Sequence, residues 1–265
     1  LKKVKFDESL IQILSSPNQS NKSWITDQYD QMVMCDTIQK SGSDAAIVRI
    51  HNKDKAIAVT VDSSANYSKS HPITGGKQIV CESRRNLISV GAKPIAITNC
   101  LNFGNPENPK IMGEFAETII GIKEACEFLD YPVVSGNVSF YNGTNQKNIY
   151  PTPVIGGVGL IKKINNPINS FFQQENNPVL LIGKTFGHLF QSIFFEEIYS
   201  IKDGPPPEIN LINEKNNGDI VLKLINDGLI LSAHDISAGG LIVALAEMTF
   251  GSSCGIKINK PKKLA

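Results

Sequence analysis

Alternation between apolar and polar residues changes along the chain, and the changes predict distinct elements. Two runs of apolar and β-branched residues, 45–50 and 56–61, flank the polar segment 51–55, which is the pattern of a β-hairpin. Apolar side chains then recur at helical spacing, which predicts a helix over residues 75–90 that ends at Gly91. This part of the chain therefore combines a strand pair with a helix that buries one stripe.

The middle of the chain predicts two buried strands on either side of a long helix. Residues 94–101 and the segment that begins at Pro132 have the pattern of buried apolar strands. Between them, the Asn108-Pro109 pair is a suitable N-cap and first residue for a helix over residues 110–129. A glycine-rich strand over residues 154–161 completes a first domain of mixed α/β character.

The last third of the chain alternates between short strands and helices. Strands are predicted at residues 179–182, residues 229–235 and Ile256, and helices at residues 187–199, residues 208–227 and from a cap at Ser237 to Met248. At the other end of the chain, the first residues are polar apart from a short apolar patch. We expect the aromatic side chains of Trp24 and Tyr29 to dock this segment on a domain.

Four segments follow from these patterns: a lead-in or linker (1–31), a first α/β domain (32–163), a connector (164–177) and a second α/β domain (178–265). The predicted fold class is α/β with mixed α+β character. The second domain has few strands, so we expect it to be truncated. The chain also begins at Leu1 rather than Met, which indicates a fragment or a processed form.

Composition argues against several classes of partner. The 265 residues include 26 Lys and Arg against 25 Asp and Glu, a net charge of +1, so no overall field attracts nucleic acid or a membrane surface. The five cysteines form no Cys-x-x-Cys pair, which favours reduced thiols over a zinc site or a disulfide framework. No apolar run reaches the roughly 18 residues of a membrane span. We therefore expect a cytoplasmic protein that holds any anionic ligand locally.

Residues 132–142 carry the strongest chemical signal, because small hydrogen-bonding residues directly follow an apolar run. Gly136 lets the backbone approach a bulky ligand, while Asn137 and Ser139 offer an amide oxygen and a hydroxyl that suit a hydrated hard cation or a phosphate. The same residues are typical of an ordinary strand-to-loop exit with a Ser/Asn turn. Both interpretations stay open on the local pattern.

Other polar residues fall near predicted strand ends or helix starts, where ligands gather in α/β sheets. The glycine pair Gly75-Gly76 at a helix start would favour an anion through free N–H groups. The chain has no G-x-x-x-x-G-K-[ST] sequence and no G-x-G-x-x-G after a strand. An ATP site in this protein would therefore be of another design.

Seven segments occur in a distinctive order: Gln-Tyr-Asp-Gln-Met-Val (28–33), Ser-Asp-Ala-Ala (43–46), Val-Gly-Ala-Lys-Pro-Ile-Ala-Ile-Thr (90–98), Leu-Asn-Phe-Gly-Asn-Pro (101–106), Ser-Gly-Asn-Val-Ser-Phe-Tyr-Asn (135–142), Pro-Thr-Pro-Val-Ile-Gly (151–156) and His-Asp-Ile-Ser-Ala-Gly-Gly-Leu (234–241). Together they resemble phosphoribosylformylglycinamidine synthase, the large synthetase subunit of purine biosynthesis. The resemblance spans nearly the whole chain, which makes it far more specific than any single glycine motif.

The resemblance implies a two-domain unit like that of aminoimidazole ribonucleotide synthetase, present twice in the family. This chain is similar to the second copy, with an N-terminal-type domain followed by a truncated C-terminal-type domain. The implied enzyme is a ligase that converts formylglycinamide ribonucleotide, ATP and glutamine-derived ammonia to formylglycinamidine ribonucleotide, ADP and phosphate, with ATP and Mg²⁺ as cofactors. Implied partners are the missing first half, a glutaminase subunit and a small accessory subunit. The family's catalytic histidine belongs to the first copy, so this chain alone is expected to be inactive.

The same resemblance implies roles for four residues. Asn99 and Gly136 would bind ATP, Asn137 would be a metal ligand, and Ser139 would bind substrate. Position 99 is usually Asp in the family. Asn99 keeps a neutral hydrogen-bonding group but lacks the carboxylate, so its metal-related role is open.

The internal duplication of the family implies an auxiliary nucleotide site at Asp62, Arg85 and Asn86. Asp62 could instead be a turn-capping carboxylate, and Arg85 a solvated or ion-paired side chain. His234-Asp235 resembles a family turn, and a satisfied polar turn before a helix is the favoured interpretation. These alternatives stay open on the sequence alone.

A different class of function is also open. The chain could be a catalytically incomplete, nucleotide-stabilised structural module that forms a homodimer through an exposed sheet edge or face. A third option is aminoimidazole ribonucleotide synthetase or another relative of the same fold. The segments 101–106 and 136–139 favour the larger enzyme over that option.

Overall fold

The computed structural model describes residues 3–145, 147–164 and 168–258. Parts of the predicted lead-in, connector and second domain therefore lie outside the described residues, and the four-segment division stays a prediction. Within the described residues, no helix is both long and apolar enough to cross a bilayer.

The described residues contain eight α-helices and eight strands, joined by turns and loops. The helices are α1 Phe6–Leu14, α2 Ser23–Thr26, α3 Ala65–Ser70, α4 Pro72–Ser89, α5 Pro109–Leu129, α6 Ile193–Tyr199, α7 Leu211–Asn226 and α8 Gly240–Phe250. The strands are β1 Thr37–Gln39, β2 Ala46–Arg49, β3 Ala56–Ser63, β4 Lys93–Asn102, β5 Val133–Ser139, β6 Gly143–Thr144, β7 Lys147–Asn148 and β8 Thr152–Ile161. A single 3₁₀ turn, Val33–Cys35, precedes β1.

Six of the strands form one mixed sheet in the order β1-β2-β3-β8-β4-β5. The predicted hairpin is confirmed, because β2 and β3 pair antiparallel with Ala46 opposite Val59. The predicted glycine-rich strand is β8, which lies between β3 and β4 and pairs antiparallel with both. Strands β4 and β5 run parallel, as expected for two strands joined by a crossover helix.

Helices α4 and α5 cover one face of this sheet and form the main core with it. The predicted start of α4 at the glycine pair is wrong, because the helix begins at Pro72 and the ring of His71 accepts a hydrogen bond from the Thr74 N–H. Gly75 donates its own N–H to the His71 carbonyl. A Cβ on Gly76 would lie 2.5 Å from the Thr118 carbonyl oxygen. The pair therefore permits close helix packing and offers no free anion-binding N–H groups.

The prediction that β5 is buried is also wrong. Six of its seven residues are exposed, because β5 is an edge strand and no helix in the described part of the chain covers the outer face of the sheet. Strand β4 is only partly buried, with Ile97 and Leu101 in the core. The predicted long helix is confirmed as α5, in which Asn108 accepts a hydrogen bond from the Lys110 N–H and Pro109 is the first residue.

The region after residue 168 contains fewer regular elements than predicted. In its described part, the segments predicted as strands form no ladder, and the one bridge joins Asn169 to Ser232. The apolar residues Val179, Leu180 and Leu181 of the first predicted strand are exposed, and Phe186 is 85% exposed. A segment with a strand pattern forms a strand only if a second strand pairs with its backbone N–H and C=O groups, and the described residues of this region supply no such partner.

The helices of this region are confirmed with shifted bounds. Helix α6 begins at Ile193, later than predicted, and α7 lies within the predicted range. Ser237 does not cap α8, which begins after Gly239; the Ser237 carbonyl accepts the N–H of Gly240 instead.

The first residues of the chain dock through α1. Ile13 is buried against Ile193 of α6 and Val243 of α8. Trp24 and Tyr29, which were predicted to dock this segment, are exposed. The short apolar patch, and not the aromatic residues, therefore docks this segment, because its apolar side chains lie on one face of α1.

Candidate functional site

The sheet separates the predicted site residues onto its two faces. The register places Asp62 opposite Ile155, Ile155 opposite Asn99, and Asn99 opposite Gly136. Residues directly opposite each other share a face, so this row lies under helices α4 and α5. Asn137 and Ser139 alternate with Gly136 along β5. They therefore belong to the open face.

Position 136 has room only for glycine, because Asn99 lies directly against it on the helix-covered face. A Cβ at position 136 would lie 2.0 Å from Asn99 Oδ1 and 2.7 Å from the Asn99 carbonyl oxygen. Asn99 also lines a groove of about 390 Å³ between α5 and the start of β5, together with Ile122, Lys123 and Val133. The groove thus offers an apolar wall with the Asn99 amide, the Lys123 ammonium group and the carboxylates of Glu127 and Asp130 at its margin.

Small polar side chains follow β4 and β5 on the open face. The Ser135 hydroxyl donates to Thr98 Oγ1 at 2.8 Å. Ser139 is half-buried, and the Asn142 amide donates to its hydroxyl at 3.1 Å and to its carbonyl at 3.0 Å. Asn137, between the two serines, is exposed. The Ser/Asn turn therefore exists at residues 139–142, while Gly136 and Asn137 belong to the strand itself.

Asp62 and Asn86, two residues of the predicted auxiliary site, lie in direct contact. The Asn86 amide donates to Asp62 Oδ1 at 2.7 Å, and the Thr60 hydroxyl donates to Asp62 Oδ2. Burial raises the pKa of the Asp62 carboxyl, although these hydrogen bonds oppose the rise. Asp62 is a residue of β3, so the turn-capping interpretation is wrong.

Arg85, the third residue of that set, is ion-paired with the second half of the chain. Its guanidinium donates to Glu214 Oε2 at 3.0 Å and lies 3.5 Å from Asp235 Oδ2. Burial lowers the pKa of this guanidinium, but the carboxylates of Glu214 and Asp235 outweigh the effect and the pKa lies above its ordinary value. Arg84 beside it donates to Asp219 at 2.9 Å. The arginine pair therefore links α4 to α7 and to the loop before α8.

Glu82 is a candidate that the sequence analysis missed. Burial raises its pKa to about 7; Arg85 opposes the rise, and the nearby carboxylates of Asp235 and Asp62 add to it. Helical spacing could have found it, because residues 82, 85 and 86 are three and four positions apart and share one face of α4. Four carboxylates (Asp62, Glu82, Glu214 and Asp235), the Asn86 amide and the Arg85 guanidinium thus meet where α4 approaches the second half of the chain.

His234 lies between two carboxylates. Its Nδ1 is 2.6 Å from Asp44 Oδ1 and its Nε2 is 3.2 Å from Glu247 Oε2. Burial lowers the pKa of the imidazole, but both carboxylates raise it, to about 10. Burial raises the pKa of the Asp44 carboxyl to about 6 against the opposing effect of His234. The satisfied-turn interpretation is right that His234 is hydrogen-bonded, but its partners lie outside the turn.

Two family models match this chain. Residues 42–161 match the AIR synthase related protein, N-terminal domain, and residues 174–264 match the AIR synthase related protein, C-terminal domain. A mixed sheet covered by helices on one face, followed by a second region joined to it through α4, agrees with that two-part organisation. The chain belongs to the AIR synthase-related family, and the predicted α/β fold class is confirmed.

Two similar relatives within this family are both named phosphoribosylformylglycinamidine synthase subunit PurL. The chain is 58% identical to phosphoribosylformylglycinamidine synthase subunit PurL of Pelagibacter ubique over 99% of its own length and 36% of the relative. It is 46% identical to subunit PurL of Azorhizobium caulinodans, over 97% of this chain and 35% of that protein. The resemblance inferred from the seven segments is confirmed. The chain spans about a third of the length of these curated relatives.

A comparison with solved structures also finds similarity to a protein of this family. The structure of PurLQS from Thermotoga maritima matches with a TM-score of 0.51 and 37% sequence identity, over 54% of this chain and 24% of that one. This similarity agrees with the fold class and with the relatives found by sequence.

Proposed function

We propose that this chain contributes one half of the nucleotide and substrate pocket of a phosphoribosylformylglycinamidine synthase, a ligase of purine biosynthesis. The whole enzyme would convert formylglycinamide ribonucleotide, ATP and glutamine-derived ammonia to formylglycinamidine ribonucleotide, ADP and phosphate. The name and high identity of the curated relatives support this assignment. The observation that carries it is the pairing of Asn99 with Gly136 at the exposed β5 edge. A ligand that passes around this edge would contact Asn99 and Gly136 on the covered face and Asn137 and Ser139 on the open face.

ATP would bind against Asn99 and Gly136. The groove beside Asn99 is large enough for part of a small organic ligand, and its walls from α5 and β5 are mainly apolar. Lys123 lines the groove together with Glu127 and Asp130, and its Nζ lies 3.8 Å from Glu127 Oε1, so the groove supplies no net positive charge and Mg²⁺ would have to offset that of the phosphates. In the whole enzyme, the γ-phosphoryl group of ATP would pass to the amide oxygen of the substrate, and ammonia would then displace phosphate.

Mg²⁺ fits this region only as a shared ion. Asn137 offers one neutral amide oxygen, and the neighbouring side chains on its face of β4 and β5 are hydroxyls, thiol and amides. Mg²⁺ is normally held by one or two carboxylates with substrate phosphates. Asn137 would therefore be one ligand among several, with ATP and other segments of the enzyme supplying the rest. Mg²⁺ would offset phosphate charge there.

The partners follow from the same assignment. Formylglycinamide ribonucleotide would contact Ser139, whose half-buried hydroxyl is oriented by Asn142. The remaining part of the synthetase, a glutaminase subunit and a small accessory subunit would complete the assembly, and the expected location is the cytoplasm. The auxiliary nucleotide site at Asp62, Arg85 and Asn86 is a weaker proposal, because these side chains already bond one another or Glu214.

Substitution of Ser139 tests the assignment in the full-length synthetase that contains this chain. Ser139→Ala should lower kcat/KM about tenfold, which corresponds to one lost hydrogen bond of about 1.4 kcal/mol to the substrate. Ser135→Ala is the matched control, because Ser135 lies four residues away on the same face of β5 and bonds Thr98. Near wild-type kinetics for Ser139→Ala would count against the assignment.

The open sheet face supports a second candidate function, a nucleotide-stabilised dimerisation module. Val48 pairs with Ile57, and Val59 and Val61 continue the same apolar face, on which Val61 is 75% exposed. Contiguous exposed apolar surface favours association. Sedimentation of the chain over a range of concentrations tests this candidate, and thermal stabilisation by ADP with Mg²⁺ would add evidence for a bound nucleotide.

A further inference from the structure

Two loops and one helix bring four ionisable side chains together at the boundary between the two halves of the chain. Asp44 lies in the loop before β2, His234 and Asp235 lie in the loop before α8, and Glu247 lies in α8 itself. One ligand atom from each of Asp44, His234 and Asp235 lies within 4.8 Å of the others. Small side-chain rotations could admit one ion, because Asp235 would move inward while Asp44 Oδ1 and His234 Nδ1, now 2.6 Å apart, would separate to accept the ion between them.

We propose that Asp44, His234 and Asp235 bind one divalent transition-metal ion of the Zn²⁺ class, with Glu247 orienting the imidazole. One imidazole nitrogen and two carboxylates form a donor set that suits such an ion, with water in the remaining position.

An unsatisfied carboxylate oxygen points to a missing ligand at this cluster. The Asp44 side chain is 3% exposed, and its Oδ1 faces His234. Its second oxygen, Oδ2, has no hydrogen-bond partner among the described residues. A buried carboxylate oxygen without a partner is costly, and a coordinated cation would satisfy it.

Each ring nitrogen of His234 faces a carboxylate oxygen. Nδ1 faces the carboxylate of Asp44, while Nε2 lies 3.2 Å from Glu247. Metal-bound histidines commonly donate the N–H of the other ring nitrogen to a carboxylate, which fixes the ring and makes it a better ligand. Glu247 is placed for that role.

The charge balance also favours a cation. Asp44, Asp235 and Glu247 surround the imidazole, and Arg85, the guanidinium nearest to Asp235, is shared with Glu214. Without a metal ion, protonation of His234 is the way to offset the excess negative charge. A bound dication would do so more completely and would tie the loop before β2 to the loop before α8.

Calorimetric titration of the full chain with Zn²⁺, and the visible absorption of Co²⁺ as a second probe, test the proposal. We expect one equivalent to bind and the melting temperature to rise with Zn²⁺ concentration. His234→Gln and Asp44→Asn should abolish this binding. Glu247→Gln should keep the stoichiometry but weaken the affinity about 10–100-fold, as loss of an orienting partner does.

His188→Gln is the matched control, because His188 is exposed and contacts the carbonyl of Pro205. Unchanged binding in that variant, together with loss in His234→Gln, supports the site. The proposal is wrong if His234→Gln and His188→Gln change metal binding equally, or if the unmodified chain gives neither a calorimetric nor a Co²⁺ signal. In that case, protonated His234 supplies the positive charge at this cluster. Should His234→Gln fail to fold, the milder Glu247→Gln variant and the ligand-field spectrum of Co²⁺ in the unmodified chain decide the question.

Discussion

Polar groups on the two faces of the sheet are satisfied in different ways. On the helix-covered face, Asp62 receives hydrogen bonds from Asn86 and Thr60, and Arg85 is paired with Glu214. On the open face, Asn137 and Val61 are exposed on the strands themselves. Asp62 and Arg85 are therefore satisfied by partners within the described residues, while the open face presents exposed groups suited to contacts with another molecule.

This difference indicates which residues should stabilise the fold and which should contribute to ligand binding or association. Burial of apolar area and closed hydrogen-bond networks stabilise the covered face. Exposed side chains on the open face contribute little to the free energy of unfolding, so substitutions there should act on association or ligand binding. Neighbouring residues on one strand point to opposite faces, and the chain therefore supplies its own controls.

Ile155→Ala should give the largest loss of stability. Ile155 is fully buried on the covered face between Asp62 and Asn99, so its truncation leaves a cavity and should cost about 2–5 kcal/mol. Val61→Ala, on the open face, should change the free energy of unfolding by less than about 0.5 kcal/mol. Urea unfolding of both variants measures the difference. Equal losses would mean that the open face is as well packed as the covered one.

Gly136→Ala should have the next largest effect. The new Cβ would collide with the Asn99 side chain and its backbone, at an expected cost of about 1–3 kcal/mol, and should displace the Asn99 amide from the groove. Gly113→Ala in α5 is the control, because its Cβ would meet nothing within 4 Å and should stabilise the helix by about 0.5–1 kcal/mol. Thermal unfolding checks both, and a stable Gly136→Ala variant would contradict the contact.

Much of the covered face could be predicted from sequence because its signals are local. The hairpin followed from two apolar runs around a polar turn, and α5 followed from Asn108-Pro109 and its periodicity. The exposure of β5 could not be predicted, because the Val133-Val134 pair at its start has the pattern of a buried strand. Only the position of β5 at the sheet edge makes the difference.

The polar network could be predicted only in part because its partners are distant in sequence. Arg85 and Glu214 are 129 residues apart, and Asp44 and His234 are 190 apart. No periodicity links such pairs. The strand predicted at residues 179–182 failed for a related reason, since strand formation depends on a partner that local sequence does not reveal.

Glu82→Gln should alter the pH dependence of stability. The pKa of Glu82 is raised from 4.5 to about 7 in the folded chain, so the folded state holds a proton that the unfolded state releases, and stability falls as pH rises between these values. The substitution should remove part of that fall, on the order of 1 kcal/mol because the side chain is partly exposed. Urea midpoints at several pH values measure it, with Glu117→Gln on the exposed side of α5 as the control. Identical pH profiles for the unmodified chain and Glu82→Gln would remove Glu82 from the network.

Val61→Lys should have the smallest effect on folding and the most specific effect on association. Val61 is 75% exposed on the open face, so a lysine there should change the free energy of unfolding by less than about 0.5 kcal/mol. A charge in the centre of an apolar interface should nevertheless disrupt self-association, because its desolvation would not be compensated. Ile120→Lys is the matched control, since Ile120 is an exposed apolar residue of α5 and lies outside the open face. Sedimentation should detect weaker association for Val61→Lys alone; if both variants weaken it equally, or neither does, the open face is not the surface through which copies of the chain meet.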